Sequence, residues 1–510
     1  MIRLFAFLLL LLALSQPPLD PGKKNSETLK VMDVIAHVDS LPSSILEPGG
    51  CLPIDGMGME RLLSSLPSTS TVKRSPGGSA SNVARGVAEL LRRLSGASSS
   101  GASPSEEKQI QVQFIGMAGR DETAREYESA LAATGVAPRL LRAGSGGERE
   151  GEEEVDDGGE EEGKASSLPT ATCLCLVSRD GQRTMRTCLG AAALLREEKQ
   201  LPRGWSEGAV AVHVEGYALW REGLAAGATG VARCEGQRRQ RLRQRRQERK
   251  SVEEDESSST PPPPPAAVVT SIDCASFEVV RARRRELEAL LGTGAVDILF
   301  CNEEEAAALA DGGAGGGEGG GGGASEGGGG GGKSDDNVST VSRALRRALD
   351  LGARVAVASL GPAGARAMVK KKRKEKERSG KEEEEEAGNG EGGKSSDFTY
   401  LSYSCPAETV DAVVDTVGAG DAFAAGFLSA LLLRRMKSKK GGEGAEETEE
   451  EDEEDEEDEL FGRDAIEAAL RLGCASGAAA VRAAGADPGE EAWDGVAATA
   501  REEERELVLA

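Results

Sequence analysis

Short apolar runs alternate along this chain with longer amphipathic stretches, and that alternation predicts its frame. Residues 31–38, VMDVIAHV, read as a strand carrying Asp33, and Gln111–Gly116 reads as a second strand. Ala171–Ser178 alternates as a strand, Arg179–Gln182 turns it, and Arg183–Leu189 returns, which predicts a hairpin with an Arg-bearing second arm. Arg183 and Arg186 lie three apart and so face opposite sides of that arm. Ala209–Glu215, Ala267–Asp273, Val296–Cys301, Arg354–Ser359 and Phe398–Ser404 read as further strands. Helical spacing predicts helices from Val83 to about Leu94 and over Glu122–Thr134, Phe277–Leu291, Ala306–Ala310, Val338–Leu351 and Asp464–Ala484. A small-residue helix is also expected to run from Asp421 to about Met436. Strand and helix in alternation imply a mostly parallel sheet covered on both faces, with ligands beyond the carboxyl ends of the strands.

Composition interrupts this pattern. Five stretches, near 145–166, 232–265, 311–336, 369–397 and 437–459, are runs of Gly, Glu, Pro or Lys/Arg. They cannot bury enough apolar surface to offset chain entropy and read as disordered inserts. The remainder suits one large α/β domain over 31–485, with 486–510 as a C-terminal tail. Much of the net charge of −25 lies in the inserts, as in Glu446–Glu459, and reports solvation more than site chemistry. The basic clusters Arg238–Lys250 and Lys370–Arg378 lie beside Glu-rich runs, so solvated linkers are expected and nucleic-acid binding is not. Nine cysteines include no CxxC pair, and buried reduced thiols are expected. Two histidines, His37 and His213, leave little for a His-based metal site or a Ser-His-Asp triad.

At the N-terminus, Met1-Ile-Arg3 and Leu4–Leu14 form a charged start and an apolar core of signal-peptide length, too short to span a membrane comfortably. Two readings stand for 1–22: a targeting segment or a misassigned start. The chain is accordingly expected in the cytoplasm or a plastid, with a secretory route open and no transmembrane span in the mature form.

Candidate chemistry gathers at Gly-rich strand ends. Asp415-Thr-Val-Gly-Ala-Gly-Asp421 is a turn opening a helix, where exposed N–H groups and the helix dipole favour a phosphate. Asp421, in the first helical turn, could accept a proton from an attacking hydroxyl; the plainer reading is a dipole-compensating carboxylate. Gly77-Gly78-Ser79 and Asn82 read either as a backbone-lined pocket for a polyhydroxy ligand or as an ordinary helix start capped by Ser79 or Ser81. Asn302 and Glu305, three apart, either orient metal-bound water or compensate a helix dipole. Gly327–Ser334 matches G-x-x-x-x-G-K-S, but a Gly/Glu tract precedes it where a phosphate loop needs a buried strand.

Together these motifs resemble the ribokinase-like (PfkB) carbohydrate kinase family, which includes adenosine kinases, ribokinases and fructokinases. The carriers are Gly77-Gly78-Ser79 with Asn82, Phe114–Asp121, Asn302-Glu-Glu-Glu305, Ser359-Leu-Gly-Pro-Ala-Gly364 and Asp415–Asp421. The resemblance implies a three-layer α/β/α sandwich with a mostly parallel central sheet and a small β lid. It implies ATP and Mg²⁺ as cofactors, with a monovalent cation such as K⁺ a further candidate, and a small sugar or nucleoside as substrate. In that reading Asp421 is the base, and Gly418, Ala419 and Gly420 form the anion hole. Ser359, Gly361, Gly364, Thr416, Gly418 and Gly420 line the ATP site. Asp33, Gly77, Gly78, Asn82 and Arg183 hold substrate, and Asn302 and Glu305 place Mg²⁺ through water. Asp180–Gly190 and His213–Tyr217 resemble the adenosine kinase-like and related sugar kinase branch. The family's Gly-Asn before the Asp33 position is Thr28-Leu29 here, and its nucleotide-pocket Asn falls at or beside Cys474. A monomer or homodimer is expected. The reading is thus an ATP-dependent kinase acting on a primary alcohol; the alternative is an inactive PfkB-like regulatory or binding protein.

Overall fold

The structure, a computed structural model, describes residues 2–7, 32–39, 41–42, 45, 51–67, 72–95, 110–143, 168–178, 183–221, 223–234, 268–310, 333–372, 398–438 and 460–509. Among these, fourteen strands form two sheets.

The larger sheet has nine strands. In chain order they are β1 (Ile2–Phe7), β5 (Ile110–Ala118), β6 (Val136–Arg142), β9 (Ala209–Glu215), β10 (Val269–Asp273), β11 (Ile298–Asn302), β12 (Val355–Ser359), β13 (Ala365–Lys372) and β14 (Phe398–Cys405). Their spatial order is β14-β13-β12-β11-β10-β9-β1-β5-β6, and only the β12–β13 and β13–β14 pairs are antiparallel. The strands are apolar on both sides because both faces are covered. On β11, Leu299 and Cys301 enter one core with the helices Arg284–Gly292 and Glu303–Ala310. Ile298 and Phe300 enter the opposite core with Ser79–Ser95, Ala419–Ser438 and Arg463–Val481. This period-two division gives three layers, as the sequence reading expects.

The smaller sheet is built from β2 (Met32–His37), β3 (Cys51–Pro53), β4 (Val72–Pro76), β7 (Thr172–Val177) and β8 (Arg183–Cys188), ordered β3-β8-β7-β2-β4. The predicted β7–β8 hairpin is present, with Leu174 opposite Arg186. One face packs on the helix Gly56–Ser64 through Val34, Leu174, Leu176, Met59 and Leu62. Arg186 is buried and donates to the Met185 carbonyl at 2.8 Å.

Several expectations need correction. Ile2–Phe7, within the 1–22 stretch read as a targeting segment or a misassigned start, is an interior strand of the large sheet, between β5 and β9. An apolar run of that length serves an interior parallel strand as well as a signal core, and periodicity alone does not separate them. Val369–Lys372, assigned to an insert, completes β13, whose Lys370, Lys371 and Lys372 pair with Tyr400, Thr399 and Phe398 of β14. The margins of two other inserts are helical, from Lys333 and up to Ser438. The predicted helix Phe277–Leu291 breaks at Arg283 into Phe277–Ala282 and Arg284–Gly292. The tail over 486–510 contains the helix Glu490–Leu509, whose buried Trp493 and Val496 pack with Leu90. The remaining parts of the inserts, and Thr28-Leu29, lie outside the described residues. So do the glycines of the G-x-x-x-x-G-K-S match, whose Lys333 and Ser334 open the helix Lys333–Leu351. No helix among the described residues is long and apolar enough to cross a membrane.

Just past β10, Ala275 has φ +68°, and its N–H donates to Asp273 Oδ1 at 2.7 Å. A Cβ in the left-handed region costs about 1–2 kcal/mol. Ala275→Gly should therefore stabilise the fold by about 0.5–1 kcal/mol after the glycine's larger unfolded-state entropy is subtracted. The midpoint of urea unfolding should rise with its slope unchanged.

Candidate active site

Two helix starts from opposite ends of the chain meet beyond the strand ends. The helix Ser79–Ser95 follows β4 through Gly77-Gly78, and the helix Ala419–Ser438 follows the turn Val417-Gly418. Asn82 Nδ2 donates to Asp421 Oδ2 at 2.8 Å across 339 residues of sequence. Ser79 also hydrogen-bonds the Asp421 side chain. Ser79 therefore acts on the carboxylate, while Ser81 donates to the Gly77 and Gly78 carbonyls at 2.7 and 3.0 Å. Neither hydroxyl is the simple acceptor cap that the sequence suggests.

Gly77 is required by a close approach: a Cβ there would lie 2.2 Å from the Asp33 carboxyl. The Gly77 carbonyl also accepts from Tyr127 Oη at 3.1 Å. Asp33, Gly77, Asn82 and Asp421 therefore come together, with Gly78 (φ +91°) completing the turn. Arg183 opens β8, paired with Val177. Arg85, one turn beyond Asn82, pairs with Asp487 and donates to the Pro76 carbonyl at 3.2 Å.

The turn before Asp421 is fixed from below. Asp415 accepts from Val417 N–H and Gly485 N–H, each at 2.9 Å, so the 412–418 loop is tied to the loop after Arg463–Val481. Gly418 has φ +74°, and a Cβ on it would strike Ala486 at 2.5 Å. Gly420 is different: a Cβ there would meet nothing within 4 Å. Protein packing does not demand that glycine, and the space above the helix N-terminus stays open. Thr416 is exposed beside it.

A group of carboxyls lies under this opening. Glu215 ends β9 and pairs in register with Asp273 at the end of β10. Asn302, at the end of β11, pairs in register with Ser359. Asn302 and Glu305 form a closed capping box: Asn302 N–H and Nδ2 donate to Glu305 at 2.8 Å each, and Glu305 N–H donates to Asn302 Oδ1 at 2.9 Å. That arrangement is the helix-start reading of this pair, and each Glu305 oxygen keeps a lone pair. No group of three or more His, Cys, Asp or Glu with metal-holding geometry occurs among the described residues. Ser359, Gly361 and Gly364 lie at the end of β12 and in the turn that follows, which hydrogen-bonds Leu360 N–H to the Gly364 carbonyl at 2.8 Å.

Burial raises these acids. Asp33 is half-buried as a residue, yet its carboxyl is enclosed. Desolvation and the Asp421 carboxylate push it up to about 7, against the pull of the Arg85 guanidinium. Desolvation also raises Asp421, opposed by the hydrogen bonds from Asn82 and Ser79 and by His213. Glu215 is pushed well above the usual carboxylate range by burial and then by Asp421 and Glu305. Asp273 rises through burial and Glu215, and Glu305 through burial and Asp273. His213 is drawn down to about 4 by burial; its Nδ1 and Nε2 lie 2.9 Å from Ser271 Oγ and 3.3 Å from Glu215 Oε1. Asn82 Oδ1 and Glu215 Oε2 are buried without a hydrogen-bond partner.

Sequence reasoning therefore located Asp33, Gly77, Gly78, Asn82 and Asp421, which the structure brings together. It missed Ser79's bond to Asp421, Tyr127's hold on Gly77 and the carboxyls of Glu215 and Asp273. Glu215 and Asp273 each end a predicted strand, and that shared position was the available signal.

Residues 392–493 match the sequence model of the pfkB family carbohydrate kinase. No curated protein matches the chain. Solved structures that resemble it include adenosine kinase from Sinorhizobium meliloti (20% identity, TM-score 0.53, covering 93% of this chain and 96% of that one). A probable sugar kinase protein from Rhizobium etli CFN 42 aligns at 18% identity and TM-score 0.53, covering 94% and 98%. Ribokinase from Giardia lamblia aligns at 15% and 0.52, covering 93% and 96%. The resemblance to the ribokinase-like PfkB family is thus borne out in the C-terminal motif region and in the fold.

Asp33 makes stability depend on pH with a definite sign. Its pKa is raised on folding, so its stabilising contribution is full below the ordinary carboxylate range and is lost as pH rises through about 7. Asp33→Asn should gain stability relative to the parent at pH 8 but not at pH 4, by on the order of a few kcal/mol. Urea unfolding at both pH values measures the difference. A residual slope from Glu215, Asp273 and Glu305 should persist in the variant.

Proposed function

We propose that this chain is an ATP-dependent phosphotransferase acting on a primary alcohol of a sugar or nucleoside, with Asp421 as the base. The observation that carries the reading is the position of Asp421. It stands in the first turn of a helix whose N-terminal space is open at Gly420, and Asn82 holds it beside Asp33 and Gly77. Phosphoryl transfer needs positioning, charge stabilisation and an acceptor for one proton, and this corner supplies all three.

In this reading Asp33 and Asn82 hold the substrate hydroxyls, with the unpartnered Asn82 Oδ1 accepting from one of them. Asp421 takes the proton of the attacking hydroxyl. Its elevated basicity, from burial, improves it as an acceptor, while the bonds from Asn82 and Ser79 keep it ionised and aimed. The N–H groups of Gly418 and Gly420 would face the developing phosphoryl charge at the helix N-terminus, whereas the Ala419 N–H, expected to join them, donates to the Thr416 carbonyl at 3.3 Å. Arg183 would meet the substrate from the small sheet. The kinases that resemble this chain bear on the substrate class only through their names, adenosine kinase, sugar kinase and ribokinase.

ATP and Mg²⁺ fit the residues present. The open side of Gly420 leaves room for phosphates, and the turn through Gly361 and Gly364, with Ser359 and Thr416, borders the nucleotide. Bound Mg²⁺ would offset the phosphate charge. Glu305 and Asn302 would hold it through water, a mode that suits an ion reluctant to shed its hydration shell and a carboxylate already engaged by Asn302.

Asp421→Asn should lower kcat by about 10²–10⁴-fold with ATP binding retained. Unchanged turnover would overturn the assignment of the base. Phosphorus NMR of ATP incubated with the full chain and adenosine, ribose or fructose should show a new phosphate monoester with one of them. A folded, ATP-binding chain that phosphorylates none of a wider sugar and nucleoside panel would favour a regulatory role.

A further inference from the structure

The helix Glu490–Leu509 and the loop before it pack on the helix that carries Asn82. Arg93 fixes the far end of this contact: its Nε donates to Asp494 at 2.6 Å and its Nη2 to the Glu490 carbonyl at 3.1 Å. Trp493 lies against Gly86, where a Cβ would come 3.3 Å from its ring. Nearer the site, three consecutive residues of the loop each serve the cleft. Gly485 N–H donates to Asp415 at 2.9 Å, Ala486 packs on Gly418, and Asp487 pairs with Arg85.

Arg85 is 7% exposed and stands one turn beyond Asn82. Its Nη1 donates to the Pro76 carbonyl at 3.2 Å, its Nη2 bonds Asp487, and its Nε is buried with no hydrogen-bond partner. Two contacts therefore hold a buried cation. Asp487 is itself aimed, because its Oδ1 accepts from Gly489 N–H at 3.0 Å while its Oδ2 faces Arg85. Pro76 ends β4, and the next residue, Gly77, abuts the Asp33 carboxyl. The guanidinium is thus fixed beside the peptide that touches Asp33, and its charge already acts on that carboxyl. A buried cation stripped of one partner is strongly destabilised and seeks another acid. Asp33 is the acid within its field.

We propose that Asp487 is a positioning residue for the acceptor: acting through Arg85, it holds the guanidinium on the Pro76 carbonyl and off Asp33, leaving that carboxyl for substrate hydroxyls. The proposal rests on the kinase reading above for the identity of the substrate, but the hold itself does not. Asp421 is kept by Asn82 and Ser79 rather than by Arg85, so the effect falls on acceptor binding and not on the chemical step.

The test uses the full chain and whichever of adenosine, ribose or fructose yields the new phosphate monoester. Asp487→Ala should raise the acceptor KM by about fivefold or more, with kcat and the KM for ATP within about twofold of the parent. Adding Arg85→Gln should lower the acceptor KM again, because no guanidinium is left to occupy Asp33. Asp494→Ala, which loosens only the far end of the contact, should leave that KM at the parent value. Hydrogen exchange gives a readout that needs no turnover: peptides spanning 76–82 should exchange about fivefold faster in Asp487→Ala and at the parent rate in Asp494→Ala. Unchanged exchange over 76–82, an unchanged acceptor KM, or a raised KM that Arg85→Gln does not lower would overturn the proposal. A chain that shows the exchange response yet phosphorylates no acceptor would contradict the proposed activity and leave the hold of Asp487 on Arg85 standing.

Discussion

The hydrogen bond from Asn82 to Asp421 is the constraint on which the site depends. It joins the first turns of two helices separated by 339 residues. Each helix is placed independently: Ser79–Ser95 by the turn at Gly77-Gly78, and Ala419–Ser438 by Asp415's bonds to Val417 and Gly485. Both pack into the same core, with Ala84 and Val87 on one and Ala424 and Phe427 on the other. The bond is therefore a readout of correct packing between the helices Ser79–Ser95 and Ala419–Ser438 on one face of the large sheet.

The electrostatics pull against stability. Asp33, Asp421, Glu215, Asp273 and Glu305 all sit in a low-dielectric region, and burial raises every one. The Arg85 guanidinium offsets part of this at Asp33 and is itself paired with Asp487. A fold that keeps so many acids together, with the Arg85 guanidinium offsetting only part of the charge, carries a stability penalty at neutral pH. Such concentrations are typical of sites whose ligands bring or remove charge. His213, neutral and enclosed, contributes shape and a hydrogen bond more than charge.

Much of this was legible in the sequence because it is written in local signals. Gly-Gly before Ser79, Asp at the start of the helix after Gly418-Ala-Gly420, and the Asn302/Glu305 spacing are short-range patterns with physical meaning. Of the large sheet, β5, β9, β10, β11, β12 and β14 stood out as apolar runs, whereas β1, β6 and β13 did not. What failed was long-range or compositional. Ile2–Phe7 lay in a stretch that could be read as a signal segment because an interior parallel strand has a similar composition. Val369–Lys372 looked like a linker because its lysines lie at a strand end, and β13 was missed with it. The bonds of Ser79 and Tyr127 depend on which elements meet in space, and no spacing rule announces that.

The central claim is that Asn82 and Asp421 work as one unit at the reacting hydroxyl. A double-mutant cycle on kcat, comparing Asn82→Ala, Asp421→Asn and the double variant, tests it most directly. If Asn82 acts largely by holding Asp421, the double variant should be scarcely slower than Asp421→Asn alone. If the two losses simply multiply, Asn82 and Asp421 act independently and the account is contradicted.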